Sequence, residues 1–456
     1  MPSLHAARAL TPTGWRKDVR IEMADGRIAS LAADVQPQPD DERCAILLPA
    51  LANLHSHAFQ RAMAGLAEWR GERTESFWTW RETMYRIALA LSPEDVEAVA
   101  AQAYVEMLES GFASVAEFHY LHHAPDGRPY ANIAELAERV AAAAGRTGIG
   151  LTLLPVFYAH ATFGGAPPSS EQRRFLNAPD RYAALLDASR AAVASLPFAR
   201  VGVAPHSLRA AAPDELRAVL GMAGEGPIHI HVAEQTKEVE DCVAWSGARP
   251  VRWLLDHAPV DARWCLIHAT HMDTQETAGA AASGAVVGLC PITEANLGDG
   301  FFPAGDFLSG GGRFGVGSDS NVEIGAAEEL RLLEYGQRLK TRARNVFAPP
   351  GGSTGRALYE HALAGGAQAL GRACGRLAPG AAADLVSLKA DHPALAAASE
   401  EGVLGAWIFV AGRGLVDGVW SAGVKTVANG VHVERDAVAH SFRRAMQRFR
   451  SSVGPR

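Results

Sequence analysis

Two segments of this chain place histidines two residues apart: Asn53-Leu54-His55-Ser56-His57, and His229-Ile230-His231-Val232-Ala233-Glu234. In an extended strand, residues i and i+2 face the same side, so either pair can turn two imidazoles toward one cation. An isolated pair is weak evidence, because two unrelated polar residues at a strand end give the same spacing. It gains weight from two more apolar runs that end in ligand types, Leu266-Ile267-His268 and Gly315-Val316-Gly317-Ser318-Asp319. If these four runs are strands of one closed barrel, their C-terminal ends converge. They then build a nitrogen/oxygen ligand set with room for water, the pattern of a catalytic Zn2+. Neutral imidazole and carboxylate suit Fe2+ or Mn2+ as well. His229 shares the parity of His231 but lies deeper in its strand, and reads as a core or supporting histidine.

A bridged two-metal centre in such a barrel often needs a carboxylated lysine on a middle strand. The lysines are Lys17, Lys237, Lys340, Lys389 and Lys425, and none falls in a barrel-strand candidate. One metal is therefore expected.

A barrel must supply the strands. From about residue 49 to 374, short apolar runs alternate with amphipathic stretches. The strand candidates are the run entering His55, then Ala113–Phe118, Ile149–Phe157, Arg200–Ala204, Pro227–Val232, Trp264–His268, Ala285–Leu289 and Arg313–Gly317. Helical patterns lie between them, among them Pro93–Glu109, with Ser92 as its cap and Pro93 in its first turn. Further helices are expected at Ala131–Ala144, Asp180–Ala194, Pro213–Ala223, Thr274–Ala282, Ala326–Arg338 and Gly355–Leu370. Strand–helix alternation repeated about eight times predicts an α/β fold, a (β/α)8 TIM-type barrel. A doubly wound sheet is the runner-up, but no G-x-G-x-x-G or P-loop follows an early strand.

Both chain ends return to strand texture. Val19–Met23 alternates and meets a turn at Asp25-Gly26; Ala383–Leu388, Trp407–Val410 and Val424–Val427 follow the barrel, and Ala437–Phe449 reads as a helix. The expected division is a small β-sandwich-like domain from residues 1–48 plus 375–456, and a metal-dependent barrel from 49–374. Self-standing terminal domains are the alternative, although about 45 residues is small for an independent core.

Length and composition agree with this size of fold. The chain has 456 residues, 48% of them hydrophobic and 20% charged, enough for a sizeable core. The net charge of -7 argues against a nucleic-acid footprint. Five scattered cysteines with no C-x-x-C pair suggest neither a disulfide framework nor a thiolate zinc site, and Cys265 and Cys290 read as buried packing residues. The first 20 residues show no apolar signal core and no long apolar span appears, so no membrane association and a cytoplasmic setting are expected.

At these residues the chain resembles the amidohydrolase superfamily, in its mononuclear deaminase branch, whose marker is the glutamate three residues after the fifth-strand ligand in His231-Val232-Ala233-Glu234. The terminal pieces resemble that superfamily's small β domain, including the run from Gly375 to Val386. A narrower resemblance, to the formimidoylglutamate deiminase family, is carried by Asn53–Glu68, Phe77–Tyr85, Glu117-Phe118-His119-Tyr120 and Ala204–Arg209. It implies that His55, His57, His231 and Asp319 hold one divalent metal, and that Glu234, His268 and Asp319 move protons. It also implies deimination of N-formimino-L-glutamate to N-formyl-L-glutamate and ammonia, in histidine degradation. Gln60, Arg81, Tyr120, His206 and Arg209 are assigned to the substrate carboxylates; arginine suits their planar, bidentate capture. Surface salt bridges are the plainer account of such arginines, and Arg81 does precede Glu82. Trp78 and Trp80 read as lid or core packing. The implied partners are a small dianionic amino-acid derivative and a second copy in a homodimer. Two other readings compete: a nucleobase or pterin-type aminohydrolase of the same branch, and a catalytically inactive barrel scaffold.

Overall fold

The computed structural model describes residues 2–70 and 76–453. Its centre is a barrel of eight parallel strand positions: Leu51–Ser56, Phe112–His119, Gly150–Phe157, the broken pair Arg200–Val201 and Ala204–Pro205, Ile228–Val232, Trp264–His268, Val286–Leu289 and Arg313–Val316. Ladders join the first four positions to one another and the last four to one another. Parallel bridges close the gaps, Val203 to Ile228 and Ser207 to His231 on one side and Ser56 to Asp319 on the other. Positions two and three are buried along their whole length, as expected of strands covered on both faces. At the last closure the chains come very close. A Cβ on Gly317 would lie 2.7 Å from the backbone N and O of His55, so only glycine fits.

Helices cover the outside. Pro93–Ser110 starts with a reciprocal cap between Ser92 and Asp95 and ends at Gly111 in the left-handed region (φ 104°). Glu135–Thr147, Pro179–Ala192, Pro213–Gly221, Thr274–Ser283, Ala326–Thr341 and Thr354–Ala369 lie where the sequence places helices, shifted by up to a few residues. Two helices between the fifth and sixth strands, Thr236–Ser246 and Pro250–His257, were not anticipated. After the first strand the chain makes a 3-10 turn, Ala58–Met63, and then the helix Phe77–Ala90, which lies across the barrel mouth.

Strands from both ends of the chain form one eight-stranded sheet. Its order is Val431–His432, Val424–Ala428, Val416–Ser421, Leu385–Leu388, Glu42–Pro49, Ser3–Thr11, Gly14–Ala24 and Arg27–Ala32. The two ends meet where Glu42–Pro49 pairs antiparallel with Leu385–Leu388 and parallel with Ser3–Thr11. The chain then runs from Pro49 straight into the first barrel strand. A buried ion pair, Arg372 Nε to Asp384 Oδ2 at 3.0 Å, and the bond from Tyr359 Oη–H to the Pro49 carbonyl at 2.6 Å, fix the sheet to the barrel. The strand expected at Trp407–Val410 is instead a π-helical turn, Trp407–Ala411, with Trp407 and Ile408 buried. A four-residue apolar run cannot distinguish a buried strand from a buried helical turn. The strand comes later, at Val416–Ser421. All five cysteines are unpaired, and no helix among the described residues is long and apolar enough to cross a membrane.

Candidate metal centre and pocket

His55 and His57 end the first strand, His231 the fifth, and Asp319 follows the eighth. Closure brings their tips together. His55 Nε2 lies 3.2 Å from His57 Nε2 and 3.1 Å from His231 Nε2. Asp319 Oδ1 lies 3.4 Å from His55 Nε2 and 3.2 Å from His57 Nε2. Four ligands at about 2.0–2.1 Å around a tetrahedral ion would be about 3.3 Å apart, so these spacings fit one cation. The donor chemistry fits as well. Nδ1–H of His57 donates to the Phe118 carbonyl at 2.9 Å, and Nδ1–H of His231 to the His206 carbonyl at 3.0 Å. Each ring therefore keeps its Nε2 lone pair aimed inward. Burial holds both imidazoles below the usual histidine range, in the neutral, ligating form. Lone pairs facing one another at this distance need a positive charge between them.

Local backbone aims these groups. Ala233 (φ 54°), His268 (φ 67°), Asp319 (φ 45°) and Asn321 (φ 56°) all take left-handed conformations at or just beyond the ends of the fifth, sixth and eighth strands. Strained non-glycine residues of this kind persist where the surroundings hold them. Asn321 Nδ2–H donates to Ser56 Oγ and to the carbonyls of His57 and Asp319, while Asn53 and Ser318 bond each other across the same seam.

His268 and Glu234 stand beside the four-residue set. His268 Nε2 is 3.8 Å from Glu234 Oε1 and 3.7 Å from Asp319 Oδ2, and its Nδ1 faces Glu294 Oε1 at 3.2 Å. Burial opposes a charge on His268, but Glu234, Glu294 and Asp319 outweigh it and raise the ring to about 10. Burial pushes the Glu234 carboxyl up to about 7, against the pull of His268 and Arg209. Backbone N–H groups of Ala233 and Glu234 donate to Glu238 at 3.2 and 3.1 Å, which fixes the acid's position.

Above the centre lies a cleft. Gln60, Arg81, Tyr120, His206 and Arg209 all line it, together with His57, His231, Glu234, His268 and Asp319. Arg209 is 7% exposed, and its nearest carboxylate is Glu234 at 3.8 Å. Its Nε has no hydrogen-bond partner among the described residues. Arg81 rests over the rings of Trp78 and Tyr85. Gln60 donates to Tyr120 Oη at 2.6 Å, leaving its own Oε1 unmatched. Met84, Tyr85, Tyr158 and Phe175, which no sequence motif marks, also line the wall, as does Trp80, expected as lid or core packing. Glu294 and Glu238 carry no motif, although a carboxylate five residues past the seventh strand's apolar run is a usable signal for Glu294. His229 is fully buried and faces the Ala369 carbonyl at 2.8 Å, away from the centre.

Residues 46–426 match the amidohydrolase family, and residues 1–45 match the family described as Formimidoylglutamate deiminase HutF, N-terminal domain. A formimidoylglutamate deiminase of Pseudomonas aeruginosa is 52% identical over 97% of this chain and 98% of its own length. The crystal structure of an amidohydrolase from Brucella melitensis is 55% identical and superposes with a TM-score of 0.95, covering 98% of this chain and 100% of that one. An adenosine deaminase from Xanthomonas campestris with bound zinc shares the fold at a TM-score of 0.82 and 22% identity, covering 98% of both chains. The chain belongs to the amidohydrolase family, in the group that carries the formimidoylglutamate deiminase N-terminal domain.

Proposed function

We propose that this chain hydrolyses N-formimino-L-glutamate to N-formyl-L-glutamate and ammonia, a step of histidine degradation. The observation that carries the reading is Arg209, an almost fully buried cation whose Nε is unmatched, facing the pocket directly above the candidate metal centre. With Arg81, on the helix Phe77–Ala90 and lining the same cleft, it provides two positive charges for a substrate with two carboxylates. The whole-length similarity to a formimidoylglutamate deiminase supports the same substrate.

His55, His57, His231 and Asp319 would hold one divalent metal, Zn2+ first, with Fe2+ or Mn2+ as alternatives. Such an ion supplies acidified water, with a pKa lowered from about 15.7 toward about 7. The rest is done by the chain. Asp319 Oδ2 accepts the proton of the water that attacks the formimino carbon, and His268, held in its charged form by the surrounding carboxylates, orients that water through Nε2–H, 3.7 Å from Oδ2. Glu234 carries a proton to the departing nitrogen, so that ammonia leaves and the carbon keeps the water oxygen as a formyl group. Arg81 and Arg209 hold the carboxylates, with Gln60, Tyr120 and His206 orienting the chain between them. Tyr85, Tyr120, Tyr158 and Phe175 crowd solvent out of the cleft.

The aromatic wall also suits a planar nucleobase, which keeps an aminohydrolase of that class as the second reading. Ammonia release from N-formimino-L-glutamate, guanine, cytosine and formamide, with metal content measured on the same sample, separates them. Turnover of an aminoheterocycle and none of formiminoglutamate overturns the first reading.

The proposal extends to organisation. Residues 1–48 with 375–456 form one small β-sandwich-like unit beside a 49–374 barrel, supported by the sheet shared between both ends. The unpaired cysteines support a cytoplasmic setting, and a homodimer is the expected assembly.

A further inference from the structure

The Asp319 carboxylate has two sides. Oδ1 faces His55 and His57 at 3.4 and 3.2 Å, whereas Oδ2 faces His268 Nε2 at 3.7 Å. Near His268 and Asp319 stands Cys290, the residue directly after the seventh strand, fully buried and unpaired. His268, Cys290 and Asp319 each offer a ligand atom, all within 4.8 Å of one another. Glu294 Oε1 sits at the Nδ1 of His268 (3.2 Å), so Nε2 is the nitrogen left to bind. A carboxylate behind an imidazole is the arrangement that orients and strengthens a histidine ligand.

We propose that His268, Cys290 and Asp319 form a second, weaker site for a thiophilic divalent cation, and that filling it switches the enzyme off. The inference rests on the first centre as read above. Cys290, a packing residue on the sequence alone, becomes a ligand through the closure of the barrel.

Three physical arguments support it. The two oxygens of one carboxylate can serve two ions, and two-metal sites have separations of about 3.5–4 Å. The shared group is then an aspartate, so the missing barrel lysine does not forbid a second ion. The ligand sets also differ in softness: the first is nitrogen and oxygen only, whereas a thiolate in the second selects Zn2+, Cd2+ or Co2+ over Mg2+ and Mn2+. Binding exchanges the Cys290 thiol proton for a metal–sulfur bond and releases that proton to solvent. It is inhibitory because it occupies His268 Nε2, which orients the attacking water, and Asp319 Oδ2, which takes its proton.

The test uses protein carrying one Co2+ per chain, titrated with further Co2+. Bound metal, near-ultraviolet absorbance and ammonia release are followed together. The expected result is a second equivalent that brings a thiolate-to-cobalt charge-transfer band, absent with one equivalent, and at least a roughly tenfold loss of activity. Cys290→Ser should keep the first equivalent and the basal activity, show no band, and need about 10–100-fold more Co2+ for the same inhibition. Cys290→Ala, which removes the side-chain oxygen as well, should behave alike and guards against a local effect of serine. A second equivalent without the band, no second equivalent, or equal inhibition of wild type and both variants overturns the proposal. A band already present with the first equivalent, lost in Cys290→Ser but not in His231→Ala, contradicts the first centre instead and leaves the Cys290 site standing. Absence of any bound cobalt overturns both.

Discussion

Replacing Arg209 with methionine removes the guanidinium and keeps most of the stem. Arg209 stays charged although burial opposes it, because Glu238 and Glu234 face it. At 3.8 Å from Glu234, a unit charge pair at an effective dielectric constant of 20 interacts by about 4 kcal/mol. A substrate carboxylate at hydrogen-bond distance would interact at least as strongly. Removing one partner of such a buried, hydrogen-bonded charge pair costs about 2–5 kcal/mol. At about 1.4 kcal/mol per tenfold, kcat/KM for N-formimino-L-glutamate should fall about 30- to 5,000-fold. Two effects are mixed in that loss, since the variant also removes a positive charge from beside Glu234. Formamidine separates them: it has the same amidine carbon and no carboxylates, so it feels only the change at Glu234. The assay is steady-state ammonia release on both compounds. The loss on formiminoglutamate should exceed the loss on formamidine by at least about tenfold, and Arg209→Lys should restore only part of it, because an ammonium lacks the planar fork. Equal losses on the two compounds would refute a carboxylate-binding role for Arg209.

Other perturbations probe the remaining parts. Gly317→Ala pushes a methyl group to 2.7 Å from the His55 backbone, so the variant should hold well under one metal per chain by elemental analysis while its far-ultraviolet circular dichroism stays intact. Glu234→Gln should keep the metal and lower kcat by about 10²–10⁴-fold. Burial places the Glu234 carboxyl at about 7, so the proton it delivers is present below that pH and lost above it. Wild-type kcat should therefore fall as pH rises through about 7, and the residual rate of Glu234→Gln should be flat in that window. Arg372→Met leaves the Asp384 carboxylate buried with its ion-pair partner gone. It should cost about 3–5 kcal/mol in denaturant unfolding, whereas Arg356→Met, half-exposed at a surface pair, should cost about 1 or less.

The barrel was legible because its strands are covered on both faces and therefore read as short apolar runs; Trp264–His268 has identical limits in sequence and structure. The metal-type residues were legible for a related reason. His55, His57, His231, His268 and Asp319 sit at the ends of such runs, where polar residues stand out. Groups that come from between the elements were not. Tyr158 and Phe175 reach the cleft from irregular chain, with no periodicity to mark them. Glu294 acts through a distance, 26 residues from His268, that only the tertiary fold defines. The Trp407–Ala411 turn was misread because four apolar residues in a row carry no period. Cys290 shows the same limit: beside Leu289 it is one more apolar residue, and only the closed barrel sets it next to His268 and Asp319.

The most direct test of the central claim is hydrolysis in water enriched in oxygen-18. With N-formimino-L-glutamate as substrate, one ammonia should appear for each N-formyl-L-glutamate, and mass spectrometry should find one heavy oxygen in the formyl group. A chelator should stop both and one equivalent of divalent metal should restore both. Release of glutamate and formamide in place of ammonia, or turnover unchanged after complete metal removal, would contradict it.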